Sequence, residues 1–212
     1  MSGKLPRPGS RGGVGGNPPN SPTGTAIPGT IGHQPLEPKR TGEFEWKPKS
    51  GVPCPPNLAS IPAHTSPEKW VKEINGPGMS SPGRNNNCVD CTRAVESTWR
   101  GNPEMAAAMD NPNADGTDAG RITEWAGGTF QKATYDEIRA KLESLGDRSS
   151  AMIVSAWAGG RGGHAFNAIN DGNVKFVDGQ SGTVSGWPPV SWSENQTSGS
   201  WAVYFDSNGN PV

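Results

Sequence analysis

The chain has little of three things that would mark other classes of protein. Only 3 of its 212 residues are cysteine, too few for a disulfide framework, so work in a reducing cytosol is the simplest interpretation. The formal net charge of −1 leaves no basic footprint for binding nucleic acid. No apolar run approaches the length of a membrane span or a signal-peptide core, which argues against a membrane protein. The Gly-rich stretch at 158–163 lacks the lysine of a phosphate-binding loop, and no nucleotide, metal or other cofactor is expected.

Proline and glycine divide the chain into two parts. Residues 1–65 hold thirteen of the 21 prolines and eleven of the 30 glycines, with almost no apolar periodicity. Such a composition cannot bury enough surface to offset the entropy lost on ordering. We therefore predict a disordered leader over residues 1–65 and one folded domain over residues 66–212.

A β-hairpin is the most informative prediction. The segments HAFNAI and NVKFVD alternate as strands, and a three-residue loop at 170–172 ends in glycine. This register places Phe166 opposite Phe176 and His164 directly opposite Asp178, within reach of an imidazole–carboxylate hydrogen bond. A two-residue loop would instead place His164 and Asp178 on opposite faces of the sheet.

A helix is predicted over residues 88–100, with Asn87 as N-cap and a stripe of apolar residues on one side. The first turn of a helix offers unpaired N–H groups and a partial positive charge, which favour a thiolate and could stabilise an oxyanion. Cys88 lies nearer this terminus than Cys91, which is the alternative nucleophile and more readily packs beneath it. A thiol at a helix start, with His164 and Asp178, is the layout of a cysteine nucleophile with its base.

Other interpretations of these residues stay open. Each of Cys88, His164 and Asp178 could serve packing or a turn alone. The Cys88–Cys91 spacing also suits half of a zinc site or a redox dithiol. A zinc site would need two further ligands, for which the candidates are Cys54, His33, His64 and His164, and Cys54 is poorly placed in a Pro-rich stretch. A redox dithiol should follow a strand, whereas Cys88 follows a loop rich in Gly, Pro and Asn.

The remaining elements complete an α+β domain. Short helices are predicted from Ser66-Pro67 and over the segment PEMAAAMD, and a third helix runs from a Thr134–Glu137 capping box to Gly146. Strands are predicted over 151–157 and 201–206. Helices that precede an antiparallel sheet indicate that the nucleophile helix packs on that sheet.

Three ordered segments resemble the papain-fold toxin family of glutamine deamidases, which form the C-terminal toxin domains of bacterial polymorphic toxins. The similarity runs from roughly residue 70 to residue 187. The segments that carry it are PGRNNNCVDCTRAVESTWRGNP, GRITEWAGG and GGHAFNAINDGNVKFVDGQSG. The resemblance implies a papain-like core and assigns the family's Cys-His-Asp triad to Cys88, His164 and Asp178. It makes Gln180, in the motif DGQ, a candidate on the oxyanion side or behind the triad. Asn87, at the start of the helix, is a second candidate near the oxyanion.

The resemblance also implies a function. It predicts a secreted or injected bacterial effector that deamidates a glutamine of a target protein in the cytosol of another cell, with a cognate immunity protein as a second partner. A cysteine protease or transglutaminase would use the same groups. A binding domain without catalysis is the alternative from a different class.

Overall fold

A computed structural model describes residue 58 and residues 60–109, 112–113, 116–160, 162–190, 192 and 194–212. Most of the predicted leader, with His33 and Cys54, lies outside the described residues. No helix in the described part of the chain is long and apolar enough to cross a bilayer. The described elements, apart from two 3-10 helices at Pro67–Lys69 and Glu194–Gln196, are α1 (Val71–Ile74), α2 (Cys88–Trp99), α3 (Gly120–Ala126), β1 (Gln131–Lys132), α4 (Tyr135–Leu145), β2 (Ser150–Trp157), β3 (Gly163–Asn170), β4 (Val174–Asp178), β5 (Thr183–Gly186) and β6 (Thr197–Phe205).

One antiparallel sheet of six strands, in the order β1-β6-β2-β3-β4-β5, forms the centre of the domain. Alternation along β3 divides the core between its two faces. Ala165 and Ile169 pack with residues of α2, whereas Phe166 and Ala168 pack with residues of α4. The predicted α+β class, with the cysteine-bearing helix on an antiparallel sheet, is confirmed.

Helix α2 is buried on all sides, which the predicted apolar stripe did not anticipate. Its charged residues are accommodated in pairs: Arg93 bonds Asp90, and Arg100 Nε lies 2.8 Å from Glu96 Oε1. Ser150 Oγ of β2 also donates to Glu96 Oε1 at 2.8 Å. Because buried charges are costly unless paired, the two ion pairs allow this burial, and the Ser150 contact joins the helix to the sheet.

Helix α4 follows its sequence signals closely. The Thr134 side chain accepts from the Glu137 N–H at 3.2 Å, and the Glu137 carboxylate accepts from the Thr134 N–H at 2.7 Å. These two bonds form the predicted capping box. The helix ends before Gly146, whose φ of 83° is the left-handed conformation that glycine adopts at little cost.

The N-terminal part of the domain differs from the prediction. The helix expected after Ser66 is divided into the 3-10 turn Pro67–Lys69 and α1. Residues upstream of position 66 already pack on the domain: the Leu58 side chain is fully buried, and the His64 N–H donates to Trp99 O at 2.8 Å. The packed part of the chain therefore includes residues before the predicted boundary.

The segment PEMAAAMD does not form the predicted helix over its described residues, 103–109. Its backbone bonds instead to distant residues: the Ala106 N–H donates to Ile74 O at 2.7 Å and the Met109 N–H to Gly83 O at 2.9 Å. Tertiary hydrogen bonds thus replace the local ones that its alanines favour. Helix α3, which follows, was not predicted as a helix.

The hairpin register is shifted by two residues from the prediction. Asn170 pairs with Val174 and Ala168 with Phe176, so the three-residue loop is 171–173 rather than 170–172. Asn170 continues the strand because its side-chain amide donates to the carbonyls of Leu142 and Gly146, at 3.1 and 2.9 Å. The prediction that His164 directly faces Asp178 is therefore wrong. An even shift preserves the face, and the two residues remain on the same side of the sheet.

Candidate active site

The first residue of α2, the second residue of β3 and the last residue of β4 meet in one buried site. The Cys88 thiol lies close enough to the His164 imidazole to raise the pKa of the ring through a hydrogen bond. His164 Nε2 lies 3.2 Å from Asp178 Oδ2. All three side chains are shielded from solvent, with exposed fractions of 1%, 5% and 5%. The structure therefore brings the three predicted residues together, although His164 and Asp178 meet diagonally across the hairpin rather than in direct opposition.

The His164 ring is held between aromatic side chains. It stacks on Phe166, with ring centroids 6.1 Å apart and an interplanar angle of 19°. The Trp192 ring meets it edge-on at 5.4 Å and 88°. Trp192 is itself fixed, because its Nε1 donates to the Tyr135 hydroxyl at 2.8 Å, which bonds Ser155 Oγ at 3.1 Å. Sequence reasoning missed Trp192, since it lies in an irregular segment between β5 and β6.

Electrostatics favour a charged imidazole at His164. Burial by itself lowers the pKa of the ring, but the Asp178 carboxylate and the hydrogen bonds to Asp178 and Cys88 outweigh burial and raise the pKa to about 10. Burial opposes ionisation of Asp178 as well. The charge of His164 and hydrogen bonds from Ser181 and the Gln180 N–H nevertheless lower the pKa of this carboxyl.

Asp178 is oriented by the chain that follows it. Its Oδ1 accepts from the Gln180 N–H at 2.9 Å, and its Oδ2 accepts from the Ser181 hydroxyl at 2.7 Å. These bonds leave Oδ2 shared between Ser181 and the imidazole. Within the motif DGQS, the residues after Asp178 therefore donate back to its carboxylate, as is common for Asp side chains in turns.

Cys91 differs sharply from Cys88. It lies one turn along α2 and packs in a hydrophobic cluster with Ile74 and Val95. Burial raises the pKa of its thiol well above the ordinary value, and the nearby charges of Asp178, Cys88 and Asp90 add to that rise. A thiol that stays protonated is a poor nucleophile.

Gln180 lies against the first turn of α2. With its carboxamide oxygen facing the helix, it accepts from the backbone N–H groups of Asn87 and Cys88, each at 3.1 Å. In the reverse orientation, the side-chain nitrogen of Gln180 would face these two N–H donors. Its one acceptor there would be Asn87 Oδ1, at 3.3 Å. We assign the oxygen to the helix side, because that orientation satisfies two buried donors.

Asn87 occupies the N-cap position of α2, as predicted, but its side chain does not cap the helix. Its amide instead donates to Asn75 Oδ1 at 2.9 Å and to Ala107 O at 2.8 Å. The side chain of Asn75 also donates to the carbonyls of Gln180 and Arg84, each at 2.9 Å. Asn75 thereby links the chain before Cys88 to the chain after Asp178. It was missed in the sequence because an Asn-Gly-Pro run resembles an ordinary turn.

A groove of about 560 Å³ lies beside the site. Its walls include Tyr135, Trp192, Glu194 and the two prolines at 188–189. Trp192 also contacts the His164 ring, so the groove shares one wall residue with the surroundings of the imidazole. Among the described residues, no group of three or more His, Cys, Asp or Glu side chains is placed to hold a metal ion.

A family model described as papain fold toxin 1, glutamine deamidase, matches residues 86–183 of the chain. The matched span contains Asn87, Cys88, His164, Asp178 and Gln180. No curated protein and no solved structure matches the chain. The family resemblance seen in the sequence is confirmed, and with it the papain-like fold.

Proposed function

We propose that the protein deamidates a glutamine side chain of a target protein through Cys88, His164 and Asp178, because residues 86–183 match the model of the papain-fold toxin family of glutamine deamidases. The family itself makes the domain a toxin and a hydrolase acting on amides. The observation that carries the finer proposal is the meeting of a helix-terminal thiol, an imidazole and a carboxylate in one buried site. None of these groups is adjacent in sequence to another.

The reaction begins with transfer of the thiol proton. His164 accepts the proton of Cys88, and the resulting imidazolium is stabilised by Asp178 at 3.2 Å. The partial positive charge at the start of α2 favours the thiolate that remains. Phe166 and Trp192 hold the ring in the plane that serves both partners.

The thiolate then attacks the carbonyl carbon of the glutamine carboxamide. A C–S bond forms, and the π electron pair moves to the oxygen, which becomes an oxyanion. The backbone N–H of Cys88, next to that of Asn87, is placed to donate to this oxygen. A pair of fixed donors at a helix start stabilises developing negative charge without reorganisation.

Collapse of the tetrahedral intermediate releases ammonia. The C=O bond re-forms, the C–N bond breaks, and His164 gives its proton to the leaving NH₂ group. A thioester with Cys88 remains. Water, deprotonated by His164, attacks this thioester, the C–S bond breaks, and the products are glutamate and the free thiol.

A protease or a transglutaminase of the same fold would use the same three groups, differing only in the bond that breaks or the nucleophile that follows. Intact-mass spectrometry separates these reactions. Candidate cytosolic proteins incubated with the domain should gain about one dalton per modified glutamine and stay uncut. Fragments would indicate proteolysis, crosslinked species would indicate transglutamination, and no change with any substrate would favour a binding domain.

Toxin membership also supports a proposal about where the reaction occurs. We propose that the domain acts in the cytosol of a target cell and that an immunity protein blocks it in the producing cell. Expression of residues 58–212 in a bacterial cytosol should arrest growth, whereas the Cys88→Ala variant should not. Equal growth of both strains, with both proteins folded, would contradict this site of action.

A further inference from the structure

The groups that would hold the oxyanion are already occupied in the free protein. The Gln180 carboxamide oxygen accepts from the N–H groups of Asn87 and Cys88 at 3.1 Å each. We call these two N–H groups the oxyanion pocket. Gln180 is 5% exposed and Asn87 and Cys88 are at most 1% exposed, so the pocket is shielded from bulk solvent.

The group that occupies the pocket, the side chain of Gln180, and the proposed substrate, a glutamine, both carry a carboxamide. Resting on the function proposed above, we propose that Gln180 is an internal cap of the oxyanion pocket, which the carboxamide of the target glutamine must displace before Cys88 can attack. Gln180 then determines specificity as a positioning residue. Only a substrate group that is as good a hydrogen-bond acceptor as the Gln180 carboxamide can displace it from the pocket.

The backbone of Gln180 is fixed by hydrogen bonds, whereas its side chain can rotate out of the pocket. Its backbone is held at both ends, because its N–H donates to Asp178 Oδ1 at 2.9 Å and its carbonyl accepts from Asn75 at 2.9 Å. Its side chain carries three rotatable bonds. Turning the carboxamide away therefore leaves the Asp178 orientation intact.

Exchange of one carboxamide oxygen for another costs little in hydrogen bonding. Both N–H donors keep an acceptor when the substrate oxygen takes the place of the Gln180 oxygen. An apolar or poorly accepting side chain would leave two buried donors without a partner. The cap thus discriminates against side chains that lack an accepting oxygen.

Two substitutions should move affinity in opposite directions. Gln180→Met keeps the length of the side chain but cannot accept, so the pocket stands open. Gln180→Glu keeps the shape but accepts more strongly, because a carboxylate bonds N–H groups at a helix start more tightly than a carboxamide does. An oxyanion donor or a structural residue would instead lose function in both variants.

The probe is a blocked dipeptide in which the glutamine carboxamide is replaced by an aldehyde. The Cys88 thiol adds across the C=O bond: a C–S bond forms, the oxygen takes the proton, and no group leaves. Reversible binding is measured by tryptophan fluorescence and by intact mass. It reports the nucleophile and the pocket without turnover.

We expect the Kd of the aldehyde to fall roughly 3- to 10-fold in Gln180→Met and to rise by at least as much in Gln180→Glu. Gln131→Met and Gln131→Glu, on the exposed edge strand β1, are the matched controls and should leave Kd unchanged. Weaker binding in both Gln180 variants, or no change in either, would overturn the cap.

A second measurement needs no substitution. In wild-type protein, the side-chain NH₂ signals of Gln180 in an NMR spectrum should shift when the aldehyde occupies Cys88, because the carboxamide leaves the pocket. Unchanged signals with the adduct formed would overturn the cap. Cys88→Ala should form no adduct. If wild type and Gln180→Met also form none, the assignment of Cys88 as the nucleophile fails, which is a different outcome from a failure of the cap alone.

Discussion

Two helix ends in this domain are closed by buried carboxamides, and they differ in what the closure does. At the C-terminus of α4, the Asn170 amide donates to the carbonyls of Leu142 and Gly146, at 3.1 and 2.9 Å. At the N-terminus of α2, the Gln180 oxygen accepts from the N–H groups of Asn87 and Cys88. Both arrangements supply hydrogen-bond partners to backbone groups at the end of a helix.

The difference lies in what stands beside each end. At the α4 end, the Ser149 hydroxyl donates to the same two carbonyls, at 3.0 and 2.7 Å, and the Asn170 contact fixes the hairpin register. The α2 end carries Cys88, and the same type of contact there covers groups that an oxyanion would need. A helix C-terminus presents carbonyls, which repel an oxyanion, so only the α2 end can serve this chemistry. A buried carboxamide therefore has a structural role at the end of α4, where it donates, and lies beside the proposed nucleophile at the start of α2, where it accepts.

The largest effect should come from the thiol itself. Cys88→Ala should lower turnover by at least about ten-thousand-fold while the fold is kept, since removal of a nucleophile ends covalent catalysis. Cys91→Ala is the matched control and should cost some stability but keep activity within a few-fold. Ammonia release and thermal unfolding measure the two effects. Iodoacetamide near neutral pH should label Cys88 before Cys91, and the reverse order would exchange their roles.

A smaller loss should follow Asp178→Asn. In a serine triad the analogous change costs about ten-thousand-fold, and a thiol ionises more easily than a hydroxyl, so we expect a loss of at least about a hundred-fold. Asp171→Ala in the hairpin loop, near the α4 end, is the control. It removes a contact to Lys175 at 2.8 Å and should cost modest stability and little activity. Equal activity loss in both variants would show that the hairpin acts only as a structural unit.

The same substitution should change the dependence on pH. The pKa of His164 is raised from 6.5 to about 10 against burial, chiefly by Asp178. The protonated imidazole therefore stabilises the fold fully below about pH 6.5, and this contribution is lost as pH rises through about 10. Asp178→Asn should lose this dependence, and its activity should fall at lower pH than in wild type. The measurements are denaturant unfolding and reaction rates from pH 6 to 10. Parallel pH curves for wild type and Asp178→Asn would show that Asp178 does not set the charge of the imidazole.

The two helix ends can be compared directly by two substitutions: Asn75→Asp, beside the start of α2, and Asn170→Asp, at the end of α4. Each change removes side-chain donors to two backbone carbonyls, so each should cost about 1–3 kcal/mol of stability. Only Asn75→Asp should also lower activity, by roughly 10- to 100-fold, because Asn75 positions the chain on both sides of the site. Activity measured on folded protein separates the two effects. Equal activity in both variants would show that Asn75 has only a structural role.

The smallest effect on activity should come from truncation. Removing residues 1–57 should leave turnover within a few-fold, since none of the proposed catalytic residues lies there. Removing residues 1–65 also deletes Leu58, fully buried, and the His64–Trp99 hydrogen bond, and should lower stability by about 2–5 kcal/mol. Thermal unfolding of the two truncated proteins makes the comparison. Equal melting temperatures would place the start of the domain at residue 66.

Local signals in the sequence were sufficient where the structure is locally determined. The Thr134–Glu137 capping box and the glycine after α4 each depend on groups a few residues apart, whereas the N–H groups at the start of α2 bond to Gln180, far along the chain. The segment PEMAAAMD shows the opposite case. Its alanines favour a helix, but the carbonyl of Ile74 and the backbone of Gly83 compete for its hydrogen bonds, and neither is visible from the segment alone.

The sequence by itself determined which faces and which residue types are available. Side chains alternate with period two, so His164 and Asp178 share a face in any three-residue-loop register, and the shift of two residues did not separate them. The family motifs likewise belong to the sequence. Tertiary structure decided the rest: it set the register through Asn170, added Trp192 against the imidazole, and placed Asn75 and Gln180 around the start of α2. The physical reason is that these contacts join residues far apart in the chain, whose pairing depends on how the whole core closes.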